Sequence, residues 1–295
     1  MKDENWNVKL DITMQTRKVK KLFKAKPTLE GEGVHLKRAF GFYEVPQFDP
    51  FLLMDDFRND QPGKYLKGFP WHPHRGIETI TYILEGSAEH SDSMGNKGTI
   101  GPGDVQWMTA GSGIIHQEMP KPGPDGKMYG FQLWSNLPAS HKMMQPRYQD
   151  VKSSEIPEVV LENGIRIRVI SGELDEINGP VQDIITDPEY LDITLPAGTS
   201  YSHPTKRGYT AFIYVIGGKG VTGWDDPEIV ENETLVLYDD GTQVAVRAED
   251  SYIRFLLITG KPLHEPIAWG GPIVMNTKEE LETAFEEFRK GKFIR

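Results

Sequence analysis

The sequence predicts an all-β fold of two barrels in tandem, and three observations carry that expectation. Thirty Gly and twenty-one Pro are spread along 295 residues without clustering, the pattern of many short strands joined by turns. Short β-type runs alternate with turn signals at the spacing of a barrel or sandwich. The two halves also carry the same block. His72-Pro73 is followed by Arg75-Gly76 and a strand ending Tyr82-Ile83-Leu84-Glu85-Gly86, and His203-Pro204 by Arg207-Gly208 and a strand ending Tyr214-Val215-Ile216-Gly217-Gly218. With one inserted residue the blocks superimpose, as duplication of a single barrel would produce.

The elements follow in order. Residues 1–16 read as an N-terminal extension. The basic stretch Arg17, Lys18, Lys20, Lys21, Lys24 and Lys26, around Val19, Leu22 and Phe23, reads as a solvated edge strand whose lysines discourage edge-to-edge pairing. Strands are expected at Ile77 to Leu84, Val105 to Thr109, Ile114 to Met119 and Met128 to Trp134, separated by segments rich in Gly, Pro and Asp. The polar segment 149–157 is the expected linker, which sets a first domain at 17–148 and a second at 158–295. The second opens with a hairpin, Glu158 to Glu162 returning as Ile165 to Ile170, with a type I′ turn at Asn163-Gly164. Near the end, Thr277 and Glu280 fit a capping box, and Leu281, Ala284, Phe285 and Phe288 recur at helical spacing, so a short amphipathic helix is expected over 278–290, docked on a barrel.

Composition excludes several functions. There is no cysteine, hence no disulfide, thiolate metal site or cysteine nucleophile, and any metal is left to His, carboxylate and water. A formal net charge of −10 disfavours direct nucleic-acid binding, which depends on Lys and Arg. No apolar run is long enough to span a membrane and no apolar segment follows the N-terminus as in a secretory signal, so the cytoplasm is the expected compartment.

Two residue pairs carry the chemistry. Strand side chains two apart share a face, so His72 and His74 point one way together, as do His116 and Glu118. If the two strands face each other across a barrel, four ligands converge and coordination positions remain open, as a catalytic metal requires. Each pair alone is a weak motif; their context of glycine-bounded turns gives them weight. Glu78 is a rival carboxylate, because it shares parity with His72 and His74 unless Gly76 disturbs the alternation. The other reading of Glu78 is a partner that orients a histidine. In the second half only His203 stands at the equivalent place, with Thr205 where the second His would be, so that barrel is expected to be metal-free. His35, His90, His141 and His264 have no partners at useful spacing and read as surface or loop residues. Trp71, Trp107, Met108 and Trp134 are candidates to wall a flat pocket, with about half of them expected to reach it because alternation makes the rest core.

The segment HPHRGIETITYILEG, residues 72–86, with PGDVQWMTAGSGIIHQEMP, residues 102–120, resembles the pirin family of the cupin superfamily. DPFLLMDDF at 49–57, GKPLHEP at 260–266 and GPIVMNT at 271–277 resemble further motifs of that family, so the similarity covers nearly the whole chain. The resemblance implies two tandem cupin barrels (double-stranded β-helix, jelly-roll) with a metal in the first alone. It implies His72, His74, His116 and Glu118 as ligands, the carboxylate coming from the His-x-Glu pair and not from Glu78. It favours Fe among the divalent ions that such ligands accept, Ni, Cu, Mn and Zn being the others. Pirin-like proteins include quercetinases, which open a flavonol ring with O2 and release CO. The implied activity is therefore a quercetin 2,3-dioxygenase acting on a flavonol or related enediol, with Glu118 placed to accept the substrate proton. The alternative is a metal-dependent redox-sensing regulator that binds a transcription-related protein partner.

Overall fold

The computed structural model describes residues 14–294, so residues 1–13 of the expected extension lie outside the described residues. The first barrel is two antiparallel sheets face to face. One has seven strands in the order Arg147–Val151, Val105–Thr109, Ile77–Glu85, Tyr129–Asn136, Phe51–Asp56, Val34–Phe40 and Lys26–Glu30. The other has four: Phe69–His74, Ile114–Lys121, Ser87–Asp92 and Lys97–Ile100. The second barrel repeats the plan, with Arg166–Ser171, Glu189–Leu195, Ile253–Gly260, Thr210–Thr222 and Thr234–Tyr238 in the places of Val34–Phe40, Phe51–Asp56, Tyr129–Asn136, Ile77–Glu85 and Val105–Thr109. The duplication read from the His-Pro blocks is thus a duplication of strand order.

Two sequence boundaries move. Val19–Lys24 is an edge strand, as its lysines suggest, but it pairs with Thr234–Tyr238 and so extends the second barrel, not the first. Arg17, taken with that stretch as solvated, is buried, its guanidinium donating to Thr205 Oγ1 and to the carbonyls of Asp239 and Lys206 at 2.7–2.9 Å. Gln149 to Val151, expected as linker, belongs to the strand Arg147–Val151, which pairs with Val105–Thr109 of the first barrel. The two departures are reciprocal: the strand that leads into each repeat docks on the other. Local sequence does not reveal this, because the pairing partners lie far along the chain.

The seven-stranded sheet and its counterpart pack against each other through one apolar core, with Phe40, Met54 and Phe131 on one side and Phe212, Leu256 and Ile258 on the other. Across this core Tyr82 Oη donates to Asp192 Oδ2 and Tyr214 Oη to Asp56 Oδ2, both at 2.7 Å. Tyr82 and Tyr214 are equivalent residues of the two His-Pro blocks, so the pair of bonds marks the pseudo-twofold relation of the repeats.

Other expected elements form with small differences. In the hairpin Glu158–Val160 to Arg166–Ser171, Gly164 N–H donates to Leu161 O at 2.8 Å and only Gly164 is left-handed, with φ 81°. A type I′ turn needs both central residues left-handed, so this is the longer loop with a single left-handed glycine. The helix spans Lys278–Arg289, with Thr277 Oγ1 accepting from Glu280 N and the Glu280 carboxylate accepting from Thr277 N. Its Ala284, Leu281 and Phe285 pack on Ile273, Met275 and Phe293. Together with the hairpin Ala268–Gly270 and Ile273–Met275 it forms an arm that returns to the first barrel, where Val274 N–H donates to Arg75 O and Lys142 Nζ donates to Val274 O, Gly76 O and Asn136 Oδ1. Gly76, with φ 76°, lies so close to the arm that an added Cβ would stand 2.0 Å from Val274 O. No helix of the described residues is long and apolar enough to cross a membrane.

Candidate metal centre

The strands Phe69–His74 and Ile114–Lys121 are antiparallel neighbours in the four-stranded sheet, with His116 opposite His72. The two residue pairs therefore meet side by side on one sheet and not from opposite walls. His116 Nε2 lies 2.9 Å from His72 Nε2, which lies 3.1 Å from His74 Nε2, and the ligating atoms of the three histidines all fall within 4.8 Å of one another. Among the described residues this is the one cluster of three or more such side chains close enough to share an ion.

The second ring nitrogens decide what the cluster is. His72 Nδ1 lies 2.9 Å from Pro70 O and His74 Nδ1 3.1 Å from Pro272 O. A carbonyl only accepts, so both Nδ1 atoms carry the proton and both Nε2 atoms present a lone pair. Burial, with the neighbouring imidazoles, pushes His74 and His116 well below the usual histidine range. A cation between the rings would satisfy the lone pairs that face one another. Two nitrogens that share one ion at about 2.1 Å each stand no more than about 4.2 Å apart, and His72 Nε2 lies within that span of both its neighbours. Three imidazoles would leave such an ion room for a carboxylate and for open positions.

Glu118 lies next to the triad, its Oε2 3.9 Å from His116 Nε2. Gln132 Nε2 donates to both its oxygens at 3.2 and 3.3 Å, and Thr81 Oγ1 lies 3.3 Å from Oε1. Glu78 is elsewhere. The left-handed turn at Gly76 resets the alternation, so Thr79 and Thr81 face the barrel interior while Glu78 faces the second barrel, in register with Thr109 and Ser135. Its Oε1 accepts from Thr109 Oγ1 at 2.7 Å, its Oε2 has no hydrogen-bond partner, and it orients no histidine. Burial raises its pKa above the ordinary value.

His72, His74 and Glu118 line a cavity of about 650 Å³, within the range of small-molecule sites. Trp71 and Trp134 line it, and Trp134 meets the His74 ring edge-on at 5.1 Å. Trp107 and Met108 do not line it. Alternation turns Trp107 outward into the core between the barrels, and Met108 is packed among Leu52, Ile77 and Val274. The arm supplies what the motifs did not show: Trp269, Gly271 and Pro272 close the cavity from the far end of the chain, and the Pro272 carbonyl fixes the His74 tautomer. The GPIVMNT segment that contains Pro272 was the only sequence signal for it.

The other histidines divide. His35 and His264 are exposed and His141 is half-buried in a turn, as expected. His90, expected at the surface, is buried on the strand Ser87–Asp92 with its ring stacked on Tyr148 at 5.8 Å. It sits opposite Glu118 in the sheet, and the sparse spacing of histidines did not reveal that it faces inward. His203 is buried in the second barrel, where its Nε2 lies 2.8 Å from Glu189 Oε1.

Two jelly-roll barrels in tandem, with a histidine cluster in the first suited to hold a metal ion, define a bicupin. The chain belongs to the pirin family: residues 33–135 match the Pirin family and residues 190–294 the pirin C-terminal cupin domain. A pirin-like protein of Caulobacter vibrioides is 44% identical over 281 residues, covering 95% of this chain and 100% of that protein. The human Pirin is 45% identical over 267 residues, covering 89% of each chain. Among solved structures, a quercetin 2,3-dioxygenase from Acinetobacter baumannii is 34% identical and superimposes with a TM-score of 0.86, covering 94% of this chain and 98% of that one.

Proposed function

We propose that this chain is a metal-dependent dioxygenase that opens the heterocycle of a flavonol such as quercetin with O2 and releases CO. One observation carries the reading: the ligating nitrogens of three imidazoles gather within 4.8 Å of one another, two of them with Nδ1 held by a backbone carbonyl, beside a cavity lined by tryptophans. The similarity to a solved quercetin 2,3-dioxygenase supports it.

In this reading His72, His74, His116 and Glu118 hold one divalent transition metal, with Fe as the first assignment among Fe, Ni, Cu, Mn and Zn. Such an ion would supply a Lewis-acidic centre for the enolised substrate, and Fe, Ni, Cu or Mn would add redox chemistry toward O2. The residues do the rest. Glu118 accepts the proton of the flavonol hydroxyl, and the Gln132 amide and the Thr81 hydroxyl hold its carboxylate in place for that transfer. Trp71 and Trp134 offer flat apolar surface to the aromatic rings, and the arm carrying Trp269 and Pro272 covers part of the cavity. Aerobic incubation of the protein, loaded in turn with Fe, Ni, Cu and Mn, is expected to consume the long-wavelength absorbance of quercetin and yield CO. Silence with every metal would sink this reading.

A further inference from the structure

One rank of side chains crosses the inner face of the first barrel's large sheet at a single level. Backbone register places Arg38 opposite Asp55, Asp55 opposite Gln132, Gln132 opposite Thr81 and Thr81 opposite Gln106. Every one of these five residues is polar. The second barrel has an equivalent rank, in which Val169, Leu191, Leu257, Ile213 and Val236 are in register across the equivalent strands, and every one is aliphatic. The fold itself therefore asks for no polar group at these places. Gln132 and Thr81 have a use, since both reach the Glu118 carboxylate. Arg38 and Asp55 have none in the centre described above.

These two form a fork-to-fork pair, Arg38 Nε to Asp55 Oδ1 and Nη2 to Oδ2, both at 2.8 Å, and Glu30 is 2.8 Å from the same Nη2. Asp55 is almost wholly buried, yet all three residues line the cavity between apolar neighbours such as Leu36, Leu53 and Phe57. Replacing a buried ion pair by apolar side chains of similar size is often neutral or stabilising, so stability alone does not explain its presence. Neighbouring strands are about 4.8 Å apart, which sets Asp55 about 5 Å and Arg38 about 10 Å along the sheet from Gln132. That is the reach of a fused two-ring aromatic system held at one end beside Glu118. Each Asp55 oxygen spends one lone pair on Arg38 and keeps another.

We propose that Arg38 and Asp55 are the specificity-determining end of the cavity, binding hydroxyl groups on the substrate ring remote from the metal centre and so selecting polyhydroxylated over bare aromatic enols. Asp55 accepts from the ring hydroxyl, and the Arg38 fork aims its carboxylate. This rests on the flavonol reading above, and the test separates the two.

The probes are quercetin and the bare flavonol core that lacks the remote hydroxyls. Binding to the metal-free protein is read by quenching of tryptophan fluorescence, since Trp71, Trp134 and Trp269 line the cavity. The wild type is expected to prefer quercetin by at least about tenfold, the effect of hydrogen bonds to a charged group. The double variant Arg38→Val with Asp55→Leu, which copies the second barrel's Val169 and Leu191, is expected to bind the bare core as before and to lose the preference. Arg38→Lys keeps the charge but not the fork, and is expected to lose part of the preference; it serves if the double variant does not fold. A preference unchanged in the variants overturns this proposal alone. Binding of neither probe to the wild type overturns the flavonol reading and this proposal with it.

Discussion

The two barrels of this chain share strand order, a His-Pro block and a reciprocal tyrosine-aspartate bond, yet their interiors are opposites. The second is filled by aliphatic side chains, among them Ile167, Leu191, Ile213, Val236 and Leu257, each buried side chain of that size contributing about 1.5–3 kcal/mol. The first gives up that packing at the same register positions and keeps a cavity lined with polar groups. The histidines follow suit. His72 finds two more imidazoles at 2.9 and 3.1 Å, while its counterpart His203 is paired with Glu189 at 2.8 Å, and Thr205, in the place of His74, accepts a hydrogen bond from Arg17. Each barrel is also sealed by a terminal arm from beyond its own repeat: the N-terminal strand with Arg17 covers the second, and the C-terminal hairpin with Pro272 covers the first. A cupin barrel is thus a scaffold that a few inward positions turn into either a core or a site.

That contrast can be broken at several points. Glu118→Gln is expected to weaken metal binding at least about 100-fold, while Glu78→Gln, on the other face of its sheet, leaves it unchanged; equilibrium dialysis against the same divalent metal checks both, and the reverse pattern would return the carboxylate to Glu78. Lys142→Met removes the amino group that ties Gly76 and Val274 together, leaving their two carbonyls and Asn136 Oδ1 each short of a donor. It is expected to cost about 2–3 kcal/mol in urea denaturation and to loosen the arm that only the first barrel borrows. His203→Ala breaks a structural hydrogen bond of the second barrel and is expected to cost about 1–2 kcal/mol with metal content unaltered. The smallest effect is in pH. Because burial raises Glu78 above the ordinary 4.5, its protonated form contributes stability that is present below that value and lost as pH rises through the raised one. Glu78→Gln is neutral throughout, so the wild type should fall behind the variant as pH increases across that window, measured as the difference in denaturation midpoint.

The elements that were legible in the sequence are those set by local pattern. Ile77–Glu85, Val105–Thr109 and the capped helix Lys278–Arg289 follow from alternation, turns and a capping box, and the His-x-His and His-x-Glu pairs follow from the two-residue period of a strand. Parity failed at Glu78 for a reason that is also local, since the chain leaves the four-stranded sheet after His74 and turns through the left-handed Gly76 into the large sheet, where parity counted from His74 no longer holds. Alternation along a strand also kept Trp134 at the cavity and sent Trp107 to the inter-barrel core, while Trp71, adjacent to His72 on its strand and half exposed, lines the cavity against that rule. Long-range features were beyond reach. That Val19–Lys24 pairs with Thr234–Tyr238, that Pro272 orients His74 across about two hundred residues of chain, and that His90 faces inward behind Glu118 depend on partners that no local window contains.

One barrel of the two is suited to hold a metal, and elemental analysis after loading with a single divalent metal counts the ions bound. The wild type and His203→Ala are expected to retain about one equivalent per chain, and His74→Ala essentially none. Two equivalents in the wild type, or one still held by His74→Ala, would contradict it.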